Sequence, residues 1–165
     1  MWYMKPVKVS IDVANPREQV YDFLDVMANH EPFTDHMMVD WKYSGPDRGV
    51  GSKAQVRVKL GGSNELVDME VVSAKAPEKI VERNVGAGGR RVGNGTYILE
   101  ELPRGGTRIT FEYSWQQAPL RERLAAPLVR SIMRRGNERA MERLAEQLPT
   151  VSAGLSAAQP SSNST

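Results

Sequence analysis

The sequence predicts an α+β fold: a seven-stranded, curved antiparallel sheet with two short helices and a long C-terminal helix. Three observations predict it. Apolar and polar residues alternate with period two in successive short runs separated by turn residues. One such run stands alone at the N-terminus, cut off from the others by a helical pattern. The region from 119 to 148 carries apolar residues at helical spacing instead.

Taken in order, Val7, Val9, Ile11 and Val13 alternate with Lys8, Ser10 and Asp12, which marks a half-buried first strand. Asn15 as N-cap, Pro16 at the first helical position and Glu18 in the first turn then open a helix over about 16–27, with Val20, Phe23, Leu24 and Met27 on its apolar face. The stretch 29–36 has room for a turn or two of helix before a strand carrying Val39, Trp41 and Tyr43, closed by Gly45-Pro46-Asp47.

A meander follows. Ala54, Val56, Val58 and Leu60 line one face of the third strand, Gly61 to Asn64 turns the chain, and Val67, Met69, Val71 and Ser73 line the fourth. Ala76-Pro77-Glu78 leads to a strand over 79–85, the glycine-rich Gly86 to Gly89 to a strand over about 91–101, and Pro103 to Gly106 to the last, with Ile109, Phe111, Tyr113 and Trp115 on one face. In the final helix Val129, Ile132, Met133, Gly136, Ala140 and Leu144 share an arc, with arginines and glutamates largely opposite. Pro127 predicts a kink or restart, because Leu120, Leu124 and Leu128 belong to a face rotated from the later stripe. Residues 1–149 thus form one domain, and 150–165, rich in Ser and Ala, are expected to be a disordered tail.

A chain of 165 residues with 40% hydrophobic and 25% charged residues is composed like a single globular domain. The net charge of +2 is too small for a nucleic-acid-binding field, and no apolar run suits a spanning helix, so neither nucleic acid nor stable membrane insertion is expected. The absence of Cys excludes disulfides, thiolate metal sites and a Cys nucleophile. The N-terminus lacks a signal-peptide pattern, so a cytoplasmic location is the default expectation. No cofactor or metal is expected, and the oligomeric state is left open.

The order strand, two short helices, six strands, long helix resembles the helix-grip superfamily that unites START lipid-transfer domains, birch-pollen-allergen-like proteins and polyketide cyclase/dehydrases. The resemblance covers residues 6 to about 148. It rests on Val9–Val13 followed by Asn15–Leu24, on Gly49-Val50-Gly51-Ser52, on Gly105–Thr110 and on Pro127-Leu128-Val129. It implies a cavity between sheet and last helix for a hydrophobic small molecule such as a lipid, isoprenoid or polyketide. The alternative it implies is a polyketide cyclase- or dehydratase-type enzyme using the same cavity. In the aromatase-cyclase branch the strand holding Ser73 typically carries a catalytic Arg two positions on; here that position is Lys75, which lacks the planar fork.

The expected ligand-binding residues are Phe33, Trp41, Tyr43, Met69, Phe111, Tyr113 and Met133 as apolar lining, Gly136 and Ala140 as small residues that leave space, and Ser73, Tyr97 and Asn137 as polar groups facing inward. A filled core with locally satisfied polar atoms is the competing reading of the same residues. Tyr97 is the candidate general acid. The 86–89 loop reads as a hairpin or as a lid whose Arg90 or Arg91 meets an acidic ligand group, and Gly93 and Gly95 read as open space on one strand face. His30 and His36 have no metal-site spacing and are expected on the surface near the pocket entrance. A third reading, docking of the arginine-rich last helix on an acidic surface, is the weakest, since that face also carries Glu138, Glu142 and Glu146.

Overall fold

The computed structural model describes residues 2–151. Residues 152–165, most of the expected disordered tail, lie outside the described residues. In chain order the elements are β1 (Val7–Val13), α1 (Arg17–Leu24), a 3-10 turn (Met27–His30), α2 (Glu31–Thr34), β2 (Met38–Ser44), β3 (Lys53–Val58), β4 (Glu65–Lys75), β5 (Lys79–Gly86), a second 3-10 turn (Ala87–Gly89), β6 (Arg91–Glu101), β7 (Thr107–Gln117), α3 (Leu120–Leu124) and α4 (Ala126–Gln147). The strands form one seven-stranded sheet in the order β1-β7-β6-β5-β4-β3-β2, antiparallel at every pairing. Hairpin connections bring each strand from β3 to β7 beside its predecessor, while β1, isolated by α1 and α2, closes the far edge against β7.

The first helix is shorter than its periodicity predicts, and Pro16 rather than Asn15 occupies the N-cap. Asn15 is buried and its amide donates to Gln19 Oε1 at 2.8 Å and to the Pro149 carbonyl at 2.7 Å, so it ties the start of α1 to the end of the last helix. Thr107 Oγ1 donates to the Asn15 carbonyl at 2.7 Å. Gly106, at φ +82°, lies so close to the Val13 carbonyl that only a residue without Cβ fits the turn.

Two of the sheet's three register shifts re-aim side chains on β2 and β4. Between Val71 and Ser73 the β4–β5 pairing slips, so Val71 lies opposite Glu82 while Ser73 lies opposite Val81. One extra residue turns Ser73 from the inner face, where period two would have kept it, to the exposed outer face. A second shift between Val39 and Lys42 carries Asp40 to φ 56° and interrupts the simple alternation of β2.

The final helix restarts as its proline predicts. The break falls at Ala125, and Pro127 sits in the first turn of α4, where its missing N–H costs no helical bond. Leu120, Leu124 and Leu128 point to solvent. Arg130 and Arg134 do not simply face water: they donate to the Lys5 and Lys8 carbonyls at 2.9 and 3.0 Å, seating α4 on the open edge of β1. The C-terminal half of α4 is close-packed, with Leu144 buried in one core cluster with Val20, Leu24, Leu99 and Ile109. Its N-terminal half, from Val129 to Ala140, instead roofs a hollow.

Candidate functional site

The hollow is a cavity of about 740 Å³ between the concave sheet face, α2, α3 and the first half of α4. Most of its wall is apolar: Phe33 and Met37 near α2, Met38 and Trp41 on β2, Val67 and Met69 on β4, and Ile132 and Met133 on α4. Methionines and aromatics form a surface that adapts to a bulky apolar body. Asn137 and Ala140 complete the roof, the Asn137 amide donating to the Met133 carbonyl at 2.8 Å.

One part of the wall is polar and buried. Glu82, on the inner face of β5, and His30, in the first 3-10 turn, are each 2% exposed, and His30 Nδ1 stands 3.2 Å from Glu82 Oε1. The other ring nitrogen lies 2.7 Å from the Leu24 carbonyl. A carbonyl only accepts, so Nε2 carries the proton there and Nδ1 is the nitrogen that gains or loses one beside Glu82. Burial disfavours the charged ring, but the negative charge and close approach of Glu82, with the Leu24 hydrogen bond, outweigh it and raise the His30 pKa above its ordinary value. The Nδ1 to Oε1 approach is close enough for charge attraction, yet Oε1 makes no aligned hydrogen bond.

Tyr97 packs its ring edge-on to His30, with centroids 5.5 Å apart, and tilts against Phe111 at 4.9 Å. Burial, with the Glu82 charge, pushes the Tyr97 hydroxyl well above the usual phenol range, so it stays protonated and can donate. Tyr113 is pushed up to about 12, mainly by burial.

The other charged cluster closes the α3 end. Arg91, at the start of β6, forks onto Glu122 of α3, with Nε donating to Oε2 at 2.9 Å and Nη2 to Oε1, while Nη1 donates to Glu65 of β4. Burial alone would lower the Arg91 pKa; the bonds to both carboxylates raise it. This clasp joins two strands to α3 across the cavity. Arg91 therefore spends its donors inside the protein, and Arg90 is exposed, bonded to the Ala87 carbonyl at 3.0 Å.

Phe33, Trp41, Met69, Tyr97, Phe111, Tyr113, Met133, Asn137 and Ala140 come together around the cavity. Three others of the predicted set do not line it. Tyr43 stands at the β2 edge, 45% exposed, stacked on Trp41 and donating its hydroxyl to Glu31. Ser73 is turned outward by the register shift, and Lys75 beside it is an exposed partner of Glu78. Gly136 faces no hollow: a Cβ there would lie 3.0 Å from Leu60 Cδ1 and 3.1 Å from Met37 Sδ, so its smallness serves close packing. Gly93 and Gly95 leave no open space either, because the rings of Tyr113 and Phe111 lie across them. His30 is buried, against the expectation of a surface position, and His36 is half-buried, its Nε2 2.9 Å from the Gly136 carbonyl. Glu82 escaped sequence reasoning because its strand has no clean apolar face; the signal was its spacing of two from Ile80, which faces Tyr97. Among the described residues no cluster of His, Cys, Asp or Glu suits a metal, and no helix is long and apolar enough to cross a membrane.

No protein-family model and no curated protein sequence matches the chain. Solved structures do. The di-domain ARO/CYC BexL from the BE-7585A biosynthetic pathway is 14% identical with a TM-score of 0.72, over 91% of this chain and 52% of that one, so the chain spans about half of it. The Zhui aromatase/cyclase from Streptomyces sp. R1128 is 13% identical with a TM-score of 0.69, over 88% of this chain and 94% of that one. TTHA0849 from Thermus thermophilus is 19% identical with a TM-score of 0.66, over 87% of this chain and 97% of that one. The chain has the helix-grip fold and shares it with these three structures.

Proposed function

We propose that the chain takes a largely apolar, polyketide-like small molecule into the cavity and acts on it as a cyclase or dehydratase. The observation that carries this reading is the His30–Glu82 pair, buried against the cavity wall with the Tyr97 ring packed edge-on to His30. A base and a neutral donor held inside an apolar enclosure are the groups that an intramolecular aldol step uses. Glu82 takes a proton from a carbon between two carbonyls, and that carbon attacks a ketone of the same molecule. Tyr97 donates to the oxygen on which charge develops, and the proton held by the pair returns to that oxygen. Loss of water from the product would complete a dehydration. The descriptions of two similar structures as aromatase/cyclases support the same chemistry.

The test is turnover of a short synthetic poly-β-ketone, followed by the absorbance of its cyclised aromatic product. The wild type should accelerate product formation, Glu82→Leu should abolish the acceleration, and Tyr97→Phe should reduce it roughly 10²-fold, in the range of a positioned acid–base group. Equal rates for wild type and Glu82→Leu would refute the enzymatic reading. Carriage without chemistry is the second reading, favoured by the methionine- and aromatic-rich lining. Gentle-release mass spectrometry of the purified protein would then find a co-purifying molecule that it leaves unchanged.

A further inference from the structure

The most exposed leucines of the described residues, Leu120, Leu124 and Leu128, stand four apart on α3 and the first turn of α4, at 65%, 78% and 63% exposure. A single leucine in water is ordinary, but three on one short segment mark a contact surface. The side of that segment turned to the cavity carries Arg121, Glu122, Ala125 and Val129 instead, and none of the three leucines lines the cavity. Trp2 joins the same end, its ring centre 5.0 Å from the Arg123 guanidinium, and Tyr3 beside it in sequence is exposed.

The charge of the segment says what it meets. Residues 119–135 hold the arginines Arg121, Arg123, Arg130, Arg134 and Arg135 and a single acid, Glu122, which is already held by Arg91. Arg123, Arg130 and Arg134 donate to backbone carbonyls, and among the described residues no carboxylate pairs with any of the five. Glu138, Glu142 and Glu146, which offset the charge of α4, lie beyond the segment. Uncompensated positive charge beside the leucines excludes a second copy of this chain, whose arginines would meet these, and fits a negatively charged surface. A bilayer takes up protruding leucines in its acyl boundary without a matching shape, whereas a folded partner needs a groove built to receive them. The cavity opens at this same end, since Gly61, Gly62 and Asn64 of the β3–β4 turn and Arg121 of α3 all line it while exposed to solvent. We propose that this end of the molecule docks reversibly on an anionic lipid bilayer, with Leu120, Leu124 and Leu128 in the headgroup boundary and Arg121 and its neighbours on the lipid phosphates. An apolar ligand then passes between bilayer and cavity without crossing water.

The docking surface is independent of the chemistry assigned to the cavity, and its test involves no turnover. Co-sedimentation of the full chain compares vesicles of phosphatidylcholine with vesicles in which ~30% of the lipid is phosphatidylglycerol. The anionic vesicles should bind the chain roughly tenfold more tightly or better, and the preference should shrink as salt is raised. Leu120→Ser combined with Leu124→Ser should weaken that binding roughly tenfold, and Arg121→Gln about threefold. Leu66→Ser, which changes an exposed leucine of β4, should leave it unchanged. All of these are surface positions, and thermal melting like that of the wild type checks that each variant folds. Absence of binding to anionic vesicles, or equal binding of both kinds, overturns the proposal. Binding that survives the leucine substitutions but falls with Arg121→Gln also overturns it, and marks instead an electrostatic surface of the kind that meets an acidic protein.

Discussion

His30 Nδ1 stands 3.2 Å from Glu82 Oε1, with both side chains withdrawn from solvent and the opposite ring nitrogen held by the Leu24 carbonyl. The pairing joins the turn after α1 to the middle of the sheet, and it makes stability depend on pH. The folded-state pKa of His30 lies above its ordinary value, so the folded form keeps a proton that the unfolded chain releases near pH 6.5. The contribution is therefore complete below about pH 6.5 and is lost as pH rises through the folded-state pKa. Urea denaturation at intervals between pH 6 and 9 should show stability falling with pH, by ~1.4 kcal/mol for each unit by which the pKa is raised. In His30→Phe this component of the slope should vanish.

Removing one member of a buried pair strands the other. Glu82→Leu alone should cost ~3–5 kcal/mol, whereas the double substitution His30→Phe with Glu82→Leu should recover most of that loss. Chemical denaturation of the two single variants and the double variant measures the coupling. Additive losses would show that the two side chains act independently.

Ala140 and Gly136 lie one helical turn apart on α4 yet meet different surroundings. Ala140 borders the cavity, while Gly136 has Leu60 and Met37 against it. Ala140→Trp should fill open volume, abolish binding of an environment-sensitive apolar dye and change stability by less than ~1 kcal/mol, whereas Gly136→Leu should overpack and cost ~1–3 kcal/mol. Dye titration beside denaturation checks both. A large loss from Ala140→Trp would mean that the cavity closes in solution.

Arg91 holds Glu65 and Glu122 together across the cavity end. Arg91→Ala removes the cation and leaves two carboxylates facing each other, so α3 should loosen from the sheet. Amide exchange over Leu120–Leu124 should accelerate at least tenfold, and association and dissociation of the apolar dye should both quicken. Unchanged exchange would show that α3 is held by its packing alone.

Turn residues and periodicity are local properties, which is why the strand order along the chain and the restart of the last helix near Pro127 were legible in the sequence, while the helix-grip architecture was legible through the resemblance that this order of elements carries. Most of the apolar cavity wall was legible for the same reason, since Phe111 and Tyr113 follow directly from the alternation of β7. The polar part was not. Whether Ser73 faces in or out depends on one register shift in β4, and register is set by pairing with β5, a long-range event that no window of sequence contains.

By itself, then, the sequence determined which segments are strands and helices and which of their faces are apolar, because those depend on neighbours along the chain. Only the tertiary structure decided what the interior does with its polar groups. His30 and Glu82 are far apart in sequence and unremarkable in it; they become a buried pair because the turn after α1 folds over β5 and removes water from both. Gly136, Gly93 and Gly95 likewise read as space until Leu60, Met37, Tyr113 and Phe111 were placed against them. Charge pairing and volume are properties of what surrounds an atom in three dimensions, so their energies are assigned only when the chain closes on itself.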